Sequence, residues 1–152
     1  MNRWLTNRTA IPLAAAILIA LAGCAAVTPA GRPGEDEMMT TAAALTKVSA
    51  AVEANLRYGS TTASVSDAEF LAQSIAHDPT LLVPFDHYRL TLRREALHAD
   101  LLVCSDDGSV ALLEDAGCTA VLDAHRWRET PLSSCTFVLV LTRICPRASN
   151  SR

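Results

Sequence analysis

Four of the five cysteines, Cys104, Cys118, Cys135 and Cys145, fall in the C-terminal third of this 152-residue chain, and they limit its possible folds more than any other feature. An even set behind an export-type N-terminus reads as two disulfides rather than a metal site. Four cysteines permit three connectivities. The run between Cys135 and Cys145, Thr136 to Ile144, is the most β-prone in the chain. As one strand it would hold those two cysteines roughly 33 Å apart at about 3.3 Å per residue, whereas a disulfide needs Cα atoms within about 7 Å. Cys104 and Cys118 would then each pair with one of them, in either crossed arrangement. Pairing Cys104 with Cys118 and Cys135 with Cys145 requires the last run to bend into a hairpin.

The N-terminus has three parts in order: Arg3 and Arg8, an apolar run from Ala10 to Ala22, and small residues before Cys24. The apolar run is thirteen residues long, short of the roughly 20 needed to span a bilayer as a helix. Leu21-Ala22-Gly23-Cys24 resembles the lipobox of bacterial lipoproteins. The resemblance covers residues 1–24 and implies cleavage before Cys24, which would carry the lipid. Ala25, rather than Asp, after the cysteine implies the outer membrane, with the domain facing the periplasm. The expected partner is thus the lipid bilayer, through acylated Cys24. The resulting division is a signal peptide over 1–23, a lipidated cysteine and flexible tether over 24–34, and one domain over 35–152. Two prolines and two glycines between Ala25 and Gly34 make that stretch a tether, at most about 35 Å long when extended.

Removing residues 1–23 leaves 129 residues with 11 basic and 16 acidic side chains, a net charge of −5. One domain with its own core fits that length. An acidic domain has no electrostatic reason to bind nucleic acid.

Glu35-Asp36-Glu37 followed by Met38, Ala42, Leu45, Val48, Val52 and Leu56 predicts an amphipathic helix ending at Tyr58-Gly59, with Gly59 left-handed. Ser66-Asp67-Ala68-Glu69 is a capping box that opens a second helix, stopped by His77-Asp78-Pro79. Leu81 to Val83 reads as a buried turn. The period then changes to alternation: strands are expected at His87–Arg94, Leu97–Cys104 and Ser109–Glu114, with a turn at Ser105-Asp106-Asp107-Gly108. Further strands are expected at Cys118–Asp123 and Thr136–Ile144. The expected fold is α+β, with two N-terminal helices on one face of a small, mainly antiparallel sheet of four or five strands, stabilised by disulfides.

No catalytic residue, metal site or cofactor is predicted. The spacing of Gly108 and Glu114 matches two positions of a calcium loop, but Val103 would occupy the first ligand position, so a hairpin turn is the better reading. His77, His87, His98 and His125 show no metal-ligand spacing, although His87 and His98 could face each other across a hairpin. Gly-x-Ser-x-Gly, Ser-x-x-Lys and Cys-x-x-Cys are all missing from the sequence. Arg89 and Arg93 share one strand face and, with Trp127, form the candidate surface for an envelope protein or glycan partner. The functional expectation is a non-catalytic binding, scaffolding or assembly-accessory lipoprotein. The alternative is a small periplasmic hydrolase with a carboxylate or histidine site.

Overall fold

The computed structural model describes residues 33–59, 64–95 and 97–145. Cys24, the signal-like segment and most of the expected tether lie outside the described residues.

Helix α1 runs Glu35–Tyr58, opening on three acidic residues that suit the positive end of a helix dipole. Met38, Ala42, Leu45, Val48 and Val52 recur at three- and four-residue steps and are all buried. The predicted stripe is therefore the helix's core face. Gly59 ends α1 in extended backbone (φ −73°, ψ 156°) rather than in the expected left-handed conformation, and its N–H still donates to Asn55 O at 2.8 Å. Helix α2 covers Asp67–Ser74, with the Ser66 side chain accepting from the Glu69 N–H. Phe70 is its buried anchor. A 3₁₀ helix follows at Pro79–Phe85, capped by Asp78, and it buries Phe85 while leaving Val83 exposed.

Strands β1 (Tyr88–Glu95), β2 (His98–Ser105) and β3 (Ala111–Ala116) form an antiparallel meander with β2 in the centre. Asp106-Asp107-Gly108 makes the turn after β2, with Gly108 at φ +71°. Leu90, Leu92, Leu101, Val103 and Leu113 pack with the helices and the 3₁₀ segment. The opposite face, with Leu102, Cys104, Ala111 and Ala116, packs under the C-terminal segment through Cys135, Phe137, Leu139 and Leu141. β2 and β3 are thus covered on both sides and are buried almost throughout.

Among the described residues there are three strands, not the four or five expected. Cys118–Asp123 forms no strand, and only Ala124 makes an isolated bridge, to Glu114. Thr136–Ile144 is not a strand either: Ser134 bridges Val110, burial alternates from Cys135 to Leu141, and the chain ends in a short helix α3, Leu141–Ile144. The backbone groups that would have formed a ladder are taken by side chains instead. Val138 N and Leu139 N donate to Glu114 Oε1 at 2.8 and 2.9 Å, and Leu139 O accepts from Arg93 at 2.9 Å.

The disulfides are Cys104–Cys135 and Cys118–Cys145, one of the two crossed arrangements. They close loops of 31 and 27 residues, each worth about 3–4 kcal/mol by loop-closure entropy.

Gly117 sets how closely α1 approaches the sheet end. A Cβ there would lie 2.8 Å from Ser49 O and 3.1 Å from Glu53 Cβ, whereas one at Gly34 would meet nothing within 4 Å. Gly117→Ala should therefore cost about 1–3 kcal/mol and Gly34→Ala no more than about 0.5 kcal/mol, measured by urea denaturation. Equal midpoints for the two variants would contradict this packing.

Candidate functional site

The chemistry-bearing side chains gather in two places. The first is an ionic network beneath the C-terminal arm, residues 134–145. Asp100 and Glu114, on β2 and β3, have no solvent exposure, and they lie on the same sheet face because Asp100 pairs with Ala116 while Leu102 pairs with Glu114. Arg126, in the 3₁₀ turn Arg126–Arg128, is 2 % exposed and donates to Glu114 Oε2 at 2.9 Å. Its two terminal nitrogens also donate to Ser133 Oγ, Ser134 O and Thr136 O, all on the arm or leading into it. Arg93 donates to Asp100 Oδ2 at 2.7 Å and to Leu139 O, and it stacks on the Phe137 ring.

Glu114 accepts from a guanidinium and from two backbone N–H groups. Asp100 is less well supplied, since Oδ1 is buried without a hydrogen bond. Burial, then the charge of Glu114, outweigh Arg93 and raise its pKa to about 7. Asp115, on the helix side of β3, is raised to about 6, mainly by burial, with the nearby Ser49 hydroxyl opposing the rise and the charge of Asp123 adding to it.

The second cluster lies at the end of the sheet. Glu53, buried on α1, accepts from Ala99 N and Arg57 and lies 2.9 Å from His98 Nδ1. A ring nitrogen of His98 and the sulfurs of Cys118 and Cys145 lie within 4.8 Å of one another. A sulfur in a closed disulfide is no base-activated nucleophile, so in this state Glu53 and His98 serve to hold the sheet end.

The structure does not assemble Arg89, Arg93 and Trp127 into one exposed surface. Arg89 is exposed. Arg93, its side chain 36 % exposed, is committed to Asp100 Oδ2 and Leu139 O. Trp127 is 6 % exposed within the helix-side core, and Arg128 stacks over its ring at 4.8 Å. His87 does not face His98, because the register pairs His98 with Glu95 and puts His87 beyond the far end of β1. His77 and His87 are exposed, and His125 has its pKa lowered by burial and by Arg128. Asp100, Glu114 and Arg126 were missed in sequence. For the two carboxylates the available signal was their place inside largely apolar strands, Asp100 in Ala99–Cys104 and Glu114, beside Asp115, in Ala111–Ala116.

An open groove of about 670 Å³ lies between α1 and the 3₁₀ helix, with Met39, Ala43, Ala44, Lys47, Leu81 and Pro84 among its walls. No family model, curated protein or solved structure matches the chain.

Two outcomes follow from the network. An acid with a raised folded pKa contributes stability that is full below its unfolded value and lost as pH rises through the folded one. Urea midpoints should therefore fall between about pH 4 and about pH 7 through Asp100 and Asp115, and Asp100→Asn should flatten that slope; an unchanged slope would refute the assignment. Arg126→Met strands a buried carboxylate and should cost about 3–5 kcal/mol, with Glu114→Gln added to it recovering part of the loss. A cost below about 1 kcal/mol would mean that the pair is effectively solvated.

Proposed function

We propose that this chain is a lipid-anchored envelope protein of bacteria, cleaved after Gly23, acylated at Cys24 and sorted to the outer membrane, whose domain binds or scaffolds another envelope component. The observation that carries the reading is the pairing of all four C-terminal cysteines into two disulfides behind an N-terminus that resembles a lipoprotein signal. Structural disulfides persist in oxidising compartments outside the cytosol, so two independent features agree on the same side of the membrane. The short tether would keep the domain within tens of ångströms of the leaflet. Binding is the favoured role because the open groove on the outer side of α1 offers apolar contact, with Met39 47 % exposed at its wall. Arg89, the exposed member of the expected partner surface, remains available on β1.

Mass spectrometry of the protein purified from membranes should show an acylated N-terminal cysteine, and Cys24→Ala should leave the chain unprocessed or release it from the membrane. A bare, differently cut N-terminus would refute the anchor. For the binding role, a photocrosslinker at Ala44, in the groove, should give a discrete adduct with an envelope component, while one at exposed Ala54 should not. Equal or absent adducts at both positions would count against the groove.

A further inference from the structure

Cys118 Sγ, Cys145 Sγ and a ring nitrogen of His98 form the one group of three potential metal donors found among the described residues. The two sulfurs are together because they are bonded, but nothing in a disulfide requires a histidine beside it. His98 is also held in place. Its Nδ1 lies 2.9 Å from Glu53 Oε1, and Glu53 is only 4 % exposed and fixed by Ala99 N and Arg57. An imidazole engaged by a carboxylate through one nitrogen has the other to offer, and metal-bound histidines characteristically have such a carboxylate behind them. Gly117 brings α1 against this corner, so three separate segments, α1, β2 and the disulfide pair, converge on it.

We propose that reduction of Cys118–Cys145 turns this corner into a zinc site, with the two thiolates and His98 as ligands, Glu53 orienting the imidazole and the fourth position open. A dithiol would supply the two electrons and two protons, leaving two protein thiols and an oxidised dithiol. Zn²⁺ then displaces the two thiol protons as two Zn–S bonds form. Bonds of about 2.3 Å in tetrahedral geometry place the sulfurs about 3.8 Å apart, which rotation about the Cα–Cβ bonds of the two cysteines can supply. Cys145 is buried at the end of the arm and Cys118 is half-buried, so entry is from the Cys118 side. Disulfide and zinc are then alternative staples of the same two segments, and the arm stays attached in either redox state. The Cys104–Cys135 bond belongs to no such donor group among the described residues.

The test uses the full chain in detergent, carrying Cys24→Ser so that the only thiols are the four in question, reduced with a phosphine and freed of it under anaerobic conditions. Titration with Co²⁺ should give one ion per chain with a thiolate-to-cobalt charge-transfer band, and Zn²⁺ should displace it. Zn²⁺ should raise the Tm of the reduced protein and leave that of the oxidised protein unchanged. His98→Gln should weaken Co²⁺ binding at least about tenfold, and Cys118→Ser should abolish the band. No Co²⁺ binding by the reduced protein, equal affinity in His98→Gln, or a band that survives Cys118→Ser would each overturn the proposal. Because an unfolded reduced chain would bind through its thiols without regard to His98, the His98→Gln comparison also excludes that origin.

Discussion

The carboxylate of Glu114 is the point on which the two halves of this fold are joined. It sits on β3 with no solvent exposure, and it is supplied by Arg126 on one oxygen and by the backbone N–H groups of Val138 and Leu139 on the other. Burying a carboxylate is costly unless its lone pairs are filled by good donors. Here the donors come from the segment that has to be held, so satisfying the charge and docking the arm are one event. Arg126 extends the same logic, donating to Ser133, Ser134 and Thr136.

The arrangement replaces a fourth strand. A strand docks by a repeating ladder, in which every second residue exchanges hydrogen bonds with one neighbour. The arm instead docks through a few charge-assisted hydrogen bonds and two disulfides, with Phe137, Leu139 and Leu141 filling the gaps. Such hydrogen bonds are individually stronger than neutral ones but depend on the protonation of their carboxyls. Asp100, with its pKa raised to about 7, makes the docking of the arm sensitive to pH, and Asp115 does the same more weakly on the helix side of the sheet.

The elements legible in the sequence are those whose side-chain period reports their environment directly. The stripe from Met38 to Val52 and the alternation through Tyr88, Leu90 and Leu92 are such cases, as is the turn at Asp106-Asp107-Gly108. Thr136–Ile144 misled because β-propensity describes how side chains fit a pleated, half-buried surface, and this segment does lie extended on such a surface. What it lacks is a backbone partner, and that depends on Glu114 and Arg93, distant in sequence. The crossed disulfides were nonetheless anticipated, since an extended passage separates Cys135 from Cys145 as effectively as a strand would. Trp127 looked like an exposed anchor between two arginines, but burial of Arg126 carries it inward. Arg93 reads as one of a solvent stripe because the arm that engages it through Leu139 O and the Phe137 ring cannot be foreseen from the spacing of β1.

Amide hydrogen exchange at Val138, Leu139 and Val140 in the disulfide-intact protein tests the carboxylate clamp most directly. The clamp predicts slow exchange at the consecutive residues Val138 and Leu139, whose N–H groups reach Glu114, and fast exchange at Val140. A pairing strand would instead protect alternate residues, so slow exchange at Val138 and Val140 with fast exchange at Leu139 would contradict the account.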